Sequence, residues 1–199
     1  MASDPFVPEL ASLRDLAEHG ARRAVRELLL YIGEDPTREG LLETPARVAR
    51  AMREMTGGYH ERPEDVLGTM FNERCDELVA VTGIEFVSLC EHHLLPFTGT
   101  ASVGYLPDGK VVGLSKLGRV VDLYARRLQV QERMTSQIAD SIMGIVQPQG
   151  VGVVVRAAHS CMSCRGVRKT STMVTSAMLG DFRDNAQLRA EFLALEREA

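Results

Sequence analysis

The sequence has no tryptophan, only 5% aromatic residues, and four cysteines in 199 residues. That cysteine count excludes a disulfide-stapled scaffold, so the core of a chain this long has to be built from aliphatic side chains. No apolar run approaches the ~20 residues that span a bilayer, which excludes a helical membrane span. Residues 1–20 lack the basic-then-apolar order of a secretory leader, and with the sparse cysteines this predicts a reducing, cytoplasmic setting. Internal repeats, low-complexity tracts and clear linkers are missing too, leaving one ordinary domain or one domain with an extension. The formal net charge of −4 shows no basic field of the kind that nucleic-acid binders carry. It hides a division along the chain, however. Residues 1–85 carry 17 acidic and 10 basic side chains, residues 86–180 carry 5 and 10, and residues 181–199 carry 5 and 3. A cationic middle between acidic flanks points to an anionic ligand.

That middle segment also holds three of the four cysteines and three of the five histidines, in two short stretches. Residues 90–93 read Cys-Glu-His-His and residues 159–164 read His-Ser-Cys-Met-Ser-Cys. Two residues separate Cys90 from His93, the spacing by which a tight loop presents a thiolate and an imidazole to one tetrahedral zinc ion. Spacing alone admits Cys90, His93, Cys161 and Cys164, a closed Cys3His set with a structural role. If residues 151–161 form a strand, His159 and Cys161 share a face and Cys164 falls on the other, unless the chain has already turned. Three ligands then remain, Cys90, His93 and Cys161, with an open position for water. His92 and His159 stand beside them as imidazoles free to carry protons near neutral pH.

A second constellation follows at residues 113–119, Gly-Leu-Ser-Lys-Leu-Gly-Arg. Ser115 can cap a helix whose first turns hold Lys116 and Arg119, an arrangement of N–H groups and positive charge that suits a phosphate. Residues 129–133 read Gln-Val-Gln-Glu-Arg, where Gln131 and Glu132 can read the amino and imino edge of a purine. Around these motifs, periodicity predicts an amphipathic helix over 8–32 and a second opening at Thr44 and Pro45 and closed by Gly57 and Gly58. Runs rich in β-formers lie at 78–88, 99–106, 111–114, 151–158 and 167–178, with helices over 115–128, up to 146, and from about 185. The order implies an α+β fold: an antiparallel four-stranded sheet with helices on one face. Residues 1–75 read as an N-terminal helical extension and 76–199 as the main domain. Bare sheet edges call for pairing between subunits.

Four runs in this order, Cys-Glu-His-His at 90–93, Gly-Leu-Ser-Lys at 113–116, Gln-Val-Gln-Glu-Arg at 129–133 and His-x-Cys-Met-x-x-Arg-Gly at 159–166, resemble the GTP cyclohydrolase I family. The resemblance extends from about Gly33 to the C-terminal helix. It implies the tunnelling fold, in which sheets of neighbouring subunits join into rings, two rings stack into a homodecamer, and adjacent subunits share each site. It implies a zinc-dependent reaction of GTP with water that gives formate and 7,8-dihydroneopterin triphosphate, the first step toward folate or tetrahydrobiopterin. By motif, Cys90, His93 and Cys161 are similar to the family's zinc ligands, and Cys164 falls where none is required. His159 resembles the acid that protonates the purine at N7, and His92 the group that shuttles protons near the ribose and the opening ring. Lys116, Arg119 and Arg165 match triphosphate positions, assisted by Ser115, while Arg47 is expected to reach the phosphates of a neighbouring subunit. Gln131 and Glu132 match the guanine readers.

Two other classes compete with this expectation. A structural zinc module that binds an anionic partner would use Cys164 as its fourth ligand. A different tunnelling-fold enzyme, such as a pterin synthase or a nitrile reductase, would share the glutamate but lack the combined Cys-Glu-His-His and His-x-Cys pattern.

Overall fold

The computed structural model describes residues 10–198, so positions 8 and 9 of the first expected helix lie outside the described residues. The chain divides into two compact units, residues 1–54 and 55–199. In the first, α1 (Leu10–Tyr31) and α2 (Thr44–Met55) are the two predicted amphipathic helices. Glu18 of α1 is shared by Arg22, one turn on, and by Arg53 of α2, whose Nη2 donates to its Oε2 at 2.8 Å.

In the second unit, α3 (Pro63–Leu67) leads into β1 (Met70–Asn72), β2 (Val79–Cys90), β3 (Pro96–Leu106) and β4 (Lys110–Val112). Then come α4 (Leu114–Ala125), β5 (Leu128–Gln129), α5 (Gln131–Val146) and β6 (Gly150–His159). A short α6 (Ser160–Ser163), β7 (Thr172–Gly180), α7 (Asp181–Asp184) and α8 (Ala186–Arg197) complete it. The main sheet has the order β5-β2-β3-β6-β7. Its four long strands are antiparallel, as expected, but β5 adds a parallel fifth, pairing Leu128 with Leu89 and Gln129 with Cys90. The sheet is therefore five-stranded and mixed, not four-stranded, because two residues are too few for alternation to reveal a strand. The run predicted at 111–114 contributes β4, which pairs with β1 in a separate two-stranded sheet.

Alternation along the strands explains how the layers form. Val151, Val153, Val155 and Ala157 of β6 face the same way as Ala101, Val103 and Tyr105 of β3, and all are buried with Leu117 and Val121 of α4 and Met134, Ile138 and Ile142 of α5. These two long helices cover one face. Residues of the other parity meet the C-terminal segment, where Val154 packs with Phe182, Leu188 and Phe192. Gly104 and Gly152 are cross-strand partners on that side, and a Cβ on Gly104 would stand 2.8 Å from the Phe192 ring. Glycine lets an aromatic ring lie directly on the sheet backbone here. Asn185 caps α8, its side chain accepting from the N–H groups of Gln187 at 2.9 Å and Leu188 at 3.2 Å.

Strands β2 and β6 both run antiparallel to β3, so they point the same way and end at the same edge of the sheet. The two Cys/His stretches of the sequence sit at those two ends.

Candidate active site

Cys90 is the last residue of β2 and is buried, while Glu91, His92 and His93 form the turn that leads to β3. The turn closes on Cys90 itself. Its N–H donates to the Leu95 carbonyl at 2.9 Å, and its own carbonyl accepts from the N–H groups of Leu94 at 2.8 Å and His93 at 3.3 Å. Leu94 takes a φ of 55°, a left-handed conformation uncommon away from glycine, and this folds the imidazole of His93 back toward the thiol. Cys90 Sγ lies 3.8 Å from His93 Nδ1.

Cys161 reaches the same place from the end of β6. The strand stops at His159, and Cys161 lies in the short helix α6, which corrects the expectation that residue 161 continues a strand. Among the described residues, Cys90, His93 and Cys161 form the one group of potential ligands that converges, with ligand atoms all within 4.8 Å of one another. Cys164 is exposed at the C-terminal end of α6 and outside that group. Burial pushes the Cys161 thiol up, the neighbouring Cys90 thiol adds to this, and Arg165 opposes it. Two thiols and an imidazole facing one another in partial burial are a soft donor set suited to a divalent zinc-like ion.

Two further groups frame this cluster. Glu91 is tied to α5 by an ion pair with Arg133, which holds its carboxyl below the usual range, while Arg133 Nε donates to Gln129 Oε1 at 3.3 Å. His92 is exposed in the turn, with Nε2 3.9 Å from Glu91 Oε1. His159 is half-buried and stacks on Phe97, its cross-strand partner, with ring centroids 4.5 Å apart and planes within 4°. Burial lowers the pKa of His159 and the nearby Glu132 carboxylate raises it.

The remaining expected residues fall into separate groups. Ser115, Lys116 and Arg119 lie in the first turns of α4, with Ser115 and Arg119 exposed. The helix is capped by Gly113, not by Ser115, whose hydroxyl sits inside the first turn and is thereby released from a capping role. Arg165 Nη1 donates to the Cys161 carbonyl at 3.2 Å, which holds the guanidinium beside the cluster. Arg47 belongs to the first unit, where it donates to the Gly40 carbonyl at 3.2 Å. Glu132 is exposed in the first turn of α5, but Gln131 is only 1% exposed. Its side-chain amide is engaged inside the protein, by Val155, Met173, Thr175 and His159. Sequence reading missed Phe97 as the ring beneath His159, since only the β3–β6 register brings them together. A cavity of about 640 Å³ lies elsewhere, lined in part by Glu85, Thr100, Asp122 and Arg126.

The family described as GTP cyclohydrolase I matches residues 21–197. The chain belongs to this family. GTP cyclohydrolase 1 of Thermobifida fusca is 58% identical over 176 residues, covering 87% of this chain and 85% of that protein. The Streptomyces avermitilis protein of the same name is 58% identical over 178 residues, 88% of this chain and 89% of the relative. That of Brucella suis is 55% identical over 180 residues, 89% and 84%. A solved structure, the archaeosine synthase QueF-Like in the apo form, overlaps 50% of this chain and 92% of its own at a TM-score of 0.40 and 21% identity, too distant to bear on fold or function.

Proposed function

We propose that the chain opens the imidazole ring of GTP at C8, releasing formate and leaving 7,8-dihydroneopterin triphosphate. The observation that carries this reading is the meeting of Cys90, His93 and Cys161 beside His159 in a member of the GTP cyclohydrolase I family. We assign zinc to the three ligands, where it supplies a Lewis acid that activates water. His159 gives a proton to the purine N7, which draws electron density from C8. His92, exposed on its turn, carries protons in the later steps at the ribose and the opened ring. Lys116, Arg119 and Arg165, with Ser115, hold the triphosphate through charge-assisted hydrogen bonds. Glu132 accepts N–H groups of the guanine edge; adenine offers a different pattern and would leave that carboxylate unpaired, which is the source of discrimination.

Assembly follows from the sheet. β7 closes one side of the main sheet and much of β2 lies bare on the other, so strand-to-strand joining of subunits into rings satisfies both edges. We take the assembly to be the homodecamer of the tunnelling fold, with Arg47 of one subunit serving the phosphates of the next. The thiolate ligands suit a reducing cytoplasm. Incubating the purified, zinc-loaded protein with GTP should yield formate and, after oxidation, a fluorescent pterin. Absence of both products overturns the assignment. Native mass measurement should give ten chains, and a fully active monomer would rule out the shared site.

A further inference from the structure

The side-chain amide of Gln131 is fixed by what surrounds it. Its Nε2 lies 3.1 Å from each of three acceptors, the Val155 carbonyl, the Met173 carbonyl and Thr175 Oγ1. Thr135 Oγ1 donates to the main-chain carbonyl of Gln131 at 2.8 Å, so its proton is used. Thr175 Oγ1, 2.7 Å from Thr135 Oγ1, is therefore the donor of that pair and keeps a lone pair for the Gln131 amide. Reversing the amide would set its oxygen against two carbonyl oxygens. Only one orientation is tolerable, and in it Oε1 faces His159 Nε2 at 2.8 Å. An amide oxygen can only accept, so Nε2 must carry the hydrogen. Stacking on Phe97 fixes the plane of the ring. Among the described residues, Nδ1 has no hydrogen-bond partner.

We infer that Gln131 is a positioning residue for His159, locking its imidazole as the Nε2–H tautomer and leaving Nδ1 as the nitrogen that serves the substrate. The inference rests on the reading of His159 as the proton donor. In that step the Nδ1–H bond breaks, a bond from hydrogen to purine N7 forms, and the positive charge passes from the ring to the purine. The imidazole left behind is the tautomer that Gln131 already holds, so no second proton has to relocate.

The test is ¹⁵N NMR of the zinc-loaded protein labelled at histidine, at a pH where His159 is neutral, with the His159 signals assigned by their loss in His159→Ala. Wild type should show Nε2–H. Gln131→Met should lose the single tautomer and lower kcat by about 10- to 100-fold, as for a misplaced catalytic group, with KM for GTP changed less than about threefold. A wild-type spectrum with Nδ1–H overturns the inference, and needs no variant to fold. A Gln131→Met enzyme with normal kcat and a KM raised more than about tenfold also overturns it, returning Gln131 to the purine. The underlying reading fails separately, if His159→Ala retains normal kcat, and the tautomer spectrum still decides the role of Gln131.

Discussion

The two ends of β6 answer opposite demands. Over residues 150–155 the strand is buried on both faces, with Val151, Val153 and Val155 against the two long helices and Val154 against the Phe182 and Phe192 rings. Over residues 156–161 the end of the strand carries Arg156 and His159 and the short helix that follows carries Cys161, each with polar partners or converging donor groups. The apolar end fixes the position of the strand and the polar end uses that position. The proposed metal ligand Cys161 and the proposed proton donor His159, two residues apart, need placement finer than a free loop gives, and a strand clamped between two layers supplies it. Their partners arrive from β2 and α5, elements packed into the same core.

The sharpest way to break the comparison is at the polar tip. Cys90→Ser or Cys161→Ser should abolish both bound zinc and GTP turnover while leaving the apolar end folded, because each removes one of only three ligands. Metal content by elemental analysis, beside circular dichroism, checks this. Cys164→Ser should keep zinc and activity, since Cys164 lies outside the converging group. Loss of zinc in Cys164→Ser would make the site a closed structural one.

A smaller effect is expected one shell out. His159→Ala and His92→Ala should retain zinc and lower kcat by roughly 100- to 10,000-fold, the range for a positioned acid or base. Arg119→Ala and Arg165→Ala should instead raise KM for GTP, most strongly at low salt and less as salt screens the charges, if they grip the triphosphate in ground and transition states alike as proposed. Near-normal kcat in the zinc-loaded histidine variants would remove them from the proton path.

The apolar end should respond in stability and hardly in chemistry. Phe192 is fully buried against Gly104 and Gly152, so Phe192→Ala leaves a cavity and should cost about 3–5 kcal/mol in urea unfolding. Turnover per folded molecule at low temperature should stay within about twofold, given that the ring lies on the face away from the buried core that holds Cys90. A collapse of kcat in a folded Phe192→Ala would show that the two ends are coupled.

Much of this was legible in the sequence, for reasons that differ by element. The four long strands, α4, α5 and α8 follow from alternation and helical spacing. The pairing of Cys90 with His93 follows from local spacing. What escaped was decided by register and by burial. β5 is two residues long, and Cys161 sits past a strand end that periodicity does not mark. Gln131 is polar at a helix start, which reads as solvent-facing or ligand-facing, yet four internal hydrogen bonds turn it inward. No local pattern announces such a residue, because its partners come from β6 and β7, more than twenty residues away.

The smallest expected effect lies between the two ends, where Arg156 of β6 meets Glu196 of α8. Arg156 Nε donates to Oε1 at 2.5 Å and Nη2 to Oε2 at 2.9 Å, a two-point contact with a carboxylate that is nearly buried. The Arg156 hydrogen bonds hold the Glu196 carboxyl below the usual carboxylate range, and burial opposes them. A carboxyl whose folded pKa is depressed adds stability that is fully present above its unfolded value near 4.5 and is lost as pH falls through the folded value. Glu196→Gln keeps the shape and removes the charge, so wild type should exceed it by roughly 1–2 kcal/mol at pH 7. That difference should shrink steadily below about pH 4.5 and vanish once both side chains are neutral. Loss of zinc in acid affects both proteins alike and cancels in the difference. Urea unfolding of the pair from pH 7 to pH 3 makes the measurement, and a gap that stays constant with pH would mean that Arg156 and Glu196 contribute through packing and not through charge.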